Sequence, residues 1–425
     1  MKVNIKQLLP GLFRQQLHII KRRYKLITVR KSHKKALKRI QDKERLNCVF
    51  FALFEEVWKY DDVYKLMKKD ELHFNPIILV CPMISYGYES MVKKMDKCYS
   101  FFKEKGYNVI RAYNTETDSY VDVRKELEPD IIFYTNPYKS LIDNRYFINN
   151  FQDVLTVYVP YFINSNKDYA MACNCELHNQ VWRRYSETEY HKELSVKYAD
   201  NKGRNVVNSG YPGIEPFLLN KPYVKTHSKK LIIWAPHHTI EPIGIIYYSC
   251  FLKYYEFMLE MANKYAEQVF FVFKPHPLLR DKLNKKWGKE KTDNYYKEWV
   301  IRENTSLNES DYVELFIESD AMIHDSASFI AEYLYLNKPV MRTMNGEDLE
   351  TMYNSFGLQC INNHYHAYKE EDIEDFIISV INGEDSMKDQ RSAFVRNELL
   401  PHGSPSQNII DDIRESIKNQ IVYWK

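Results

Sequence analysis

A chain of 425 residues with 44% hydrophobic content, rich in Tyr and Phe, is too long for one ordinary core and predicts two packed domains. Seven scattered cysteines argue against a disulfide framework and for a reducing compartment, and with no apolar run of about eighteen residues and no signal-peptide pattern an intracellular protein is expected. The net charge of +3 conceals an asymmetry: residues 1–45 carry fifteen Lys/Arg against two Asp/Glu, and the remainder forty-five against fifty-five.

Within the basic arm, Leu8, Leu9, Leu12, Phe13, Leu17, Ile19, Ile20, Leu26 and Ile27 are interleaved with Arg22, Arg23, Lys25 and Arg30. This mixture suits a segment lying on an anionic membrane face, apolar side chains inward and cations at the headgroups. A solvated arm or a helical cap on the first domain is the alternative. Nucleic acid is not the expected partner, because the acidic remainder repels a phosphate backbone.

Apolar runs follow in chain order at 47–53, 77–82, 108–112, 130–134 and 154–160, separated by helical patterns, one of them spanning about 87–105 and stopping at Gly106. Such alternation predicts a parallel, doubly wound sheet. Val206 to Gly213 reads as a last strand and turn, leading into a hinge near 217–228. The pattern then restarts, with strands at 230–235, 269–274 and 321–323 and helices near 245–266, 310–318 and 327–336. Lys338 to Arg342 and Cys360-Ile361 offer further strands, and Pro405 to Lys425 reads as an amphipathic helix capped near Ser404. The expected domains are an arm (1–45), an N-terminal Rossmann-like domain on the acceptor side (46–217), a C-terminal Rossmann-like domain on the donor side (218–402) and a terminal helix (403–425).

Three strand ends of the second half carry polar clusters: Trp234-Ala-Pro-His-His-Thr239, Phe273-Lys-Pro-His-Pro277 and His324-Asp-Ser-Ala-Ser328. In open parallel sheets, ligands bind at the carboxyl ends of the strands, so these clusters predict one cleft for an anionic ligand. The prolines flanking His276 restrict where its imidazole points, and with Lys274 it suits a diphosphate leaving group. Ser326 and Ser328 are expected to cap a helix whose start attracts phosphate. Asp325, which repels phosphate, is expected to hold a neighbouring histidine or a ligand hydroxyl. Trp58 and Asp61, just after the first strand, are acceptor-side candidates, with a packed Trp58 as the alternative. Cys173, Cys175 and His178 lack the wider spacing of a zinc site, and no metal is expected. No dinucleotide fingerprint, phosphate loop or serine-hydrolase elbow is present.

With these residues in place, the chain resembles the CDP-glycerol glycerophosphotransferase family, the teichoic-acid polymerase-like enzymes of GT-B fold. Gly210-Tyr211-Pro212 resembles the family's Gly-Tyr-Pro turn, and Ala235-Pro236 with His237, His238 and Thr239 its Ala-Pro-Thr strand end. His276-Pro277 resembles its His-Pro pair, which contacts the donor diphosphate. His324 to Ser328 with Glu332 resembles Ser-Asp-Tyr-Ser-Ser followed by an acidic residue, and Gly403 to Ser406 a closing Gly-x-Ala-Ser segment. Where the family places a Trp-His-Gly segment bearing the general base, this chain reads Tyr158-Val-Pro-Tyr161, so the base does not carry over.

The resemblance implies two Rossmann-like domains facing one cleft and a metal-independent transferase without a cofactor, the nucleotide diphosphate-linked donor being a substrate. It implies transfer of a glycerol-phosphate-like group from a CDP-linked donor to a membrane-linked surface glycan, at the inner face of the bacterial membrane. His276, Asp325 and His237 would be catalytic; His238, Thr239, Lys274, Ser326, Ser328 and Glu332 would hold the donor. The alternatives are a glycosyltransferase using a UDP- or CMP-sugar in capsule or lipopolysaccharide synthesis, and a non-catalytic membrane-associated scaffold.

Overall fold

The computed structural model describes residues 11–218, 228–242, 247–309, 312–400 and 403–423, with side chains from Arg22 onward except Arg23. The expected hinge at 217–228 lies mostly outside the described residues, as do the first ten residues of the arm. The chain forms two compact units. The first comprises Met1–Phe162, Asp168–Gly213 and Pro401–Lys425; the second comprises Ile163–Lys167 and Ile214–Leu400.

The first unit is built on seven parallel strands: β1 (Leu46–Ala52), β2 (Phe74–Val80), β3 (Val109–Arg111), β4 (Ile131–Tyr134), β5 (Leu155–Tyr158), β6 (Arg183–Ser186) and β7 (Val206–Asn208), in the order β3-β2-β1-β4-β5-β6-β7. Alternate residues of the strands feed two separate cores. Cys48, Phe50, Ile78, Ile131 and Phe133 enter one, and Val49, Phe51, Ile77, Leu79 and Ile132 the other. Apolar side chains on both faces explain the near-continuous hydrophobic runs of the sequence. Strand β6 escapes hydropathy because two arginines occupy it, both buried. Arg183 pairs with Asp412 of the C-terminal helix Pro405–Lys418 at 3.0 Å, and Arg184 bonds Ser195 Oγ and the Ala172 carbonyl.

The basic arm is a helix, α1 (Gly11–Ile40). Along residues 29–40 its apolar face turns inward: Val29, His33, Ala36, Leu37 and Ile40 are buried, the last three in the core shared with β1, whereas Ile27 before them is exposed. The spacing 29, 33, 36, 37, 40 is one helical face, and the first unit occupies it. Helix α1 also pairs Arg22 with Asp200 and Lys25 with Glu176. For residues 29–40 the helical-cap reading therefore replaces insertion of apolar side chains into lipid.

The second unit has six parallel strands: β8 (Lys230–Ala235), β9 (Val269–Phe273), β10 (Thr305–Leu307), β11 (Ala321–His324), β12 (Val340–Thr343) and β13 (Tyr365–Ala367), ordered β10-β9-β8-β11-β12-β13. One of its cores joins Ile232, Trp234, Phe271, Phe273 and Ile323 to the helix Phe251–Lys264. Cys360-Ile361, expected as a strand, instead closes the helix Ser355–Ile361. Asn354 Oδ1 accepts from Gly357 N at 2.8 Å and starts that helix, so the strand waits until Tyr365. All seven cysteines are free thiols.

Candidate functional site

Chain order in the second sheet runs outward from β8 through β9 to β10 and, in the other direction, from β11 to β13, so the topological switch point lies between β8 and β11. Ligands of open α/β sheets bind at such points. The register aligns Trp234 with Phe273 and Ala235 with His324, which brings the three polar clusters to one carboxyl edge. His276 N donates to Pro236 O at 3.0 Å and ties two of the loops together.

The result is a triangle of imidazoles. Ring centroids are 4.3 Å apart for His237–His238, 4.8 Å for His237–His276 and 4.3 Å for His238–His276. Burial, then the neighbouring imidazoles, push His237 down to about 2. Burial, His238 and Lys274 push His276 down to about 3. Burial and Lys282 lower His238. All three rings are neutral at physiological pH. Leu278 N donates to His276 Nδ1 at 3.1 Å, and Thr239 N to His237 Nδ1 at 3.3 Å. Since both Nδ1 atoms accept, the proton of each neutral ring sits on Nε2.

That tautomer decides what the triangle suits. The ligating atoms of the three rings lie within 4.8 Å of one another, close enough to gather around a cation. A metal-bound histidine, however, offers an Nε2 lone pair while Nδ1–H donates outward. Here two of three rings have the opposite arrangement and present N–H donors, which match an oxyanion. Lys274 adds a buried cation, its Nζ 3.1 Å from Asn308 Oδ1 and 6.0 Å from the Tyr312 ring centre.

Asp325 is fully buried, and desolvation pushes its carboxyl up to about 6 despite two backbone hydrogen bonds and Arg342. Its oxygens accept from His237 N at 2.5 Å and Cys250 N at 2.7 Å. Both oxygens are thus engaged in fixing the loop that carries the histidines, which makes Asp325 a positioning residue. Thr239 does similar work: its Oγ1 lies 2.9 Å from His237 Nδ1 and accepts from Tyr248 N at 3.0 Å.

Arg342, on β12, is a buried residue of this site that the sequence reading did not single out. Its guanidinium is buried, donates to Ser326 O and to the Tyr353 hydroxyl, and lowers His237, His324 and Asp325 alike. An isolated Arg inside an apolar strand was the available signal.

The serine expectation needs correction. The helical turn after β11 begins at Phe329 and spans only four residues, with Ser328 at its N-cap position. Ser328 is already helical (φ −74°, ψ −43°) and makes no side-chain cap bond, because capping requires an extended backbone at that position. Ser326 N donates to His324 Nδ1 at 3.1 Å. Glu332 is buried and accepts from the Tyr312 hydroxyl at 2.6 Å, so it is tied into the protein.

In the first unit, Trp58 is packed against Phe50 and Phe102, with ring centroids 5.5 and 4.8 Å apart, and donates to Asp61 Oδ1 at 3.1 Å. Burial raises the Asp61 carboxyl, but Lys65, Lys105 and Tyr107 outweigh it and hold the group below its usual value. The packed reading of Trp58 prevails. Among the described residues, Cys173, Cys175 and His178 form no metal-ligand cluster.

Comparison with known proteins bears on this geometry. The model of the CDP-Glycerol:Poly(glycerophosphate) glycerophosphotransferase family matches residues 183–397, half of the chain. The chain belongs to that family. As a glycerophosphotransferase-family protein it is a transferase with two parallel-sheet domains of GT-B type. A variant of the wall teichoic acid polymerase TagF is similar in structure over 96% of this chain and 98% of that one, at 16% identity and a TM-score of 0.58. Staphylococcus aureus MnaA, solved with UDP, covers 89% and 98% at 15% identity (TM-score 0.55). The UDP-GlcNAc 2-epimerase of Neisseria meningitidis, bound to UDP-GlcNAc, covers 87% and 100% at 15% identity (TM-score 0.52). At these identities the structural neighbours establish the fold alone. No curated protein matches the chain.

Proposed function

We propose that this transferase moves a phospho-polyol, glycerol phosphate or a close relative, from a CDP-linked donor to a membrane-linked surface-glycan acceptor. An acceptor hydroxyl oxygen attacks the phosphorus that carries the polyol. The bond from that phosphorus to the CMP oxygen breaks, CMP departs with the bonding pair, and the hydroxyl proton passes to water. His276 and His237 donate Nε2–H to the diphosphate oxygens, and Lys274 supplies a positive charge from a site where low dielectric strengthens it. Asp325 and Arg342 hold the loops that place the two histidines.

The observation that carries this reading is the pair of neutral, Nε2-protonated histidines beside Lys274 at the second unit's switch point, in a chain of this family. A thermal-shift panel of CDP-glycerol, CDP-ribitol, UDP-sugars and CMP-sugars tests it, since a ligand that binds only the folded protein raises its apparent stability. A shift with a CDP-polyol, absent in His276→Ala, is the expected result. A shift confined to UDP- or CMP-sugars redirects the reading to a glycosyltransferase, and silence across the panel overturns it.

Among the described residues, no helix is long and apolar enough to cross a membrane. We infer peripheral attachment to an anionic membrane through α1, with charge in the leading role. Arg30, Lys31, Lys34, Lys35, Lys38 and Arg39 are exposed, while the apolar stripe of the same stretch is buried in the first unit. Attachment of this kind fades with salt; vesicle binding that persists unchanged at high salt contradicts it.

A further inference from the structure

The first unit has a switch point of its own. Strands β1 and β4 are neighbours, and chain order runs outward from them in both directions, so the loops after β1, β4 and β5 share the carboxyl edge at which open sheets bind ligands. Thr135 Oγ1 donates to Phe51 O at 2.9 Å and joins two of these edges. The side chains there are rings and hydroxyls. Tyr138, Tyr161 and Phe162 are each partly exposed, with ring centroids 6.5 Å apart for Tyr138–Tyr161 and 4.8 Å for Tyr161–Phe162.

The surrounding chain holds these rings in place. Tyr211 donates its hydroxyl to Tyr161 O at 2.9 Å. A Cβ on residue 213 would lie 2.7 Å from the Tyr211 ring, so glycine is what leaves that ring its room. The Gly210-Tyr-Pro-Gly213 segment thereby supports Tyr161. Asn136 Oδ1 accepts from Tyr138 N at 2.9 Å and sets the other ring's backbone.

Charge decides what this edge fits. Residues 53–60, 135–143 and 159–162, with the Lys97 and Arg145 side chains that reach them, hold four cations, Lys59, Lys97, Lys139 and Arg145, against Glu55, Glu56 and Asp143, so the edge is close to neutral. The carboxylates pair with Lys97 and Arg145, and Lys139 lies 5.5 Å from the Phe147 ring centre. A poly(glycerol phosphate) chain carries a negative charge on every unit and calls for a row of matching cations. A pyranose instead offers an apolar C–H face to stack on a ring and hydroxyls to bond a phenol.

We propose that this edge of the first unit binds an uncharged pyranose, so that the nucleophile is a sugar hydroxyl and not the end of a poly(glycerol phosphate) chain. Assigning the sugar as acceptor rests on the transferase reading above; its binding here does not.

Saturation-transfer NMR on the full chain tests the proposal with methyl β-D-glucopyranoside and methyl N-acetyl-β-D-glucosaminide, and separately with oligomeric glycerol phosphate. The expected result is transfer to the pyranose C–H protons. Tyr161→Ala and Tyr138→Ala should each weaken binding roughly tenfold, and Tyr161→Phe should keep most of the transfer. Their melting temperatures and CDP-glycerol shifts should stay at the parent value, which separates a lost sugar contact from a lost fold. Transfer to glycerol phosphate oligomers alone, silence from every probe, or sugar signals untouched by both alanine variants each overturn the proposal. Sugar transfer in a protein that ignores every CDP-polyol counts against the transferase reading and leaves this one standing.

Discussion

Acidification should unfold the second unit before the first. Five buried histidines and the half-buried His276 have depressed pKa values: His33, His237, His276 and His364 to about 3, 2, 3 and 3, and His178 and His324 well below the usual value. Burial is the largest cause in every case. Each folded pKa lies below the unfolded one, so the unfolded chain takes up protons first as pH falls beneath about 6.5. Stability is fully present above that pH and declines below it. Between pH 7.5 and 5.5 each such histidine removes about 1.4 kcal/mol. Asp325, raised to about 6, acts in the opposite sense and returns roughly 0.8 kcal/mol.

Four of the six histidines and Asp325 belong to the second unit, which therefore loses about 5 kcal/mol. The first unit holds His33 and His178 and loses about 3 kcal/mol. Against a typical domain stability of roughly 5–15 kcal/mol, the larger loss is close to decisive. Hydrogen exchange followed by mass spectrometry at pH 7.5, 6.5 and 5.5, corrected for the intrinsic pH dependence of exchange, reads each unit separately. Core peptides of β8, β9 and β11 should lose protection ahead of those of β1 and β4. Equal protection of the two units at pH 5.5, or no change from pH 7.5, refutes the reasoning.

Further outcomes follow from the site and its supports. His276→Ala should reduce turnover by a factor of about 100 or more, the scale of one lost transition-state donor, with a circular dichroism spectrum like the parent's. Asp325→Ala leaves the N–H groups of His237 and Cys250 without an acceptor and should lower stability by about 1–3 kcal/mol per group in urea melts. Asp412→Ala strands the Arg183 guanidinium in the first unit and should cost about 3–5 kcal/mol, read from the same melts. Replacing Lys31, Lys34, Lys35 and Lys38 with Glu should abolish sedimentation with anionic vesicles, each lysine contributing about 1 kcal/mol; deleting residues 1–45 is the wrong control, because Leu37 and Ile40 go with them.

The two sheets were legible because their strands are apolar on both faces and end at Pro, Gly or Asn. Strands β6 and β10 were not: β10 is only three residues long, and β6 carries Arg183 and Arg184, the first of which is neutralised by Asp412 some 230 residues later in the chain. The histidine triangle was readable as three strand ends, since parallel register aligns carboxyl edges. What each ring does there was not, because the tautomers depend on backbone N–H groups two residues further along. Arg342 was hidden for a similar reason: its partners, Ser326 O and the Tyr353 hydroxyl, come from segments outside its own strand, 16 residues before it and 11 after it. The arm was legible only as an amphipathic pattern, which is the same whether lipid or protein takes the apolar face; along residues 29–40 the first unit takes it.

The last residues of the chain return to the first unit, where Asp412, Ser416 and the Val422 carbonyl meet the Arg183 guanidinium. On the ribosome this imposes an order of events. The second unit, apart from the short strap Ile163–Lys167, is continuous from Ile214 to Leu400 and has all its strands available before the helix Pro405–Lys418 is made. The first unit begins earlier yet waits longer, its Arg183 lacking a carboxylate until the closing helix emerges. Nascent chains stalled before residue 401 should therefore protect the second sheet from protease and leave β6 open to cleavage.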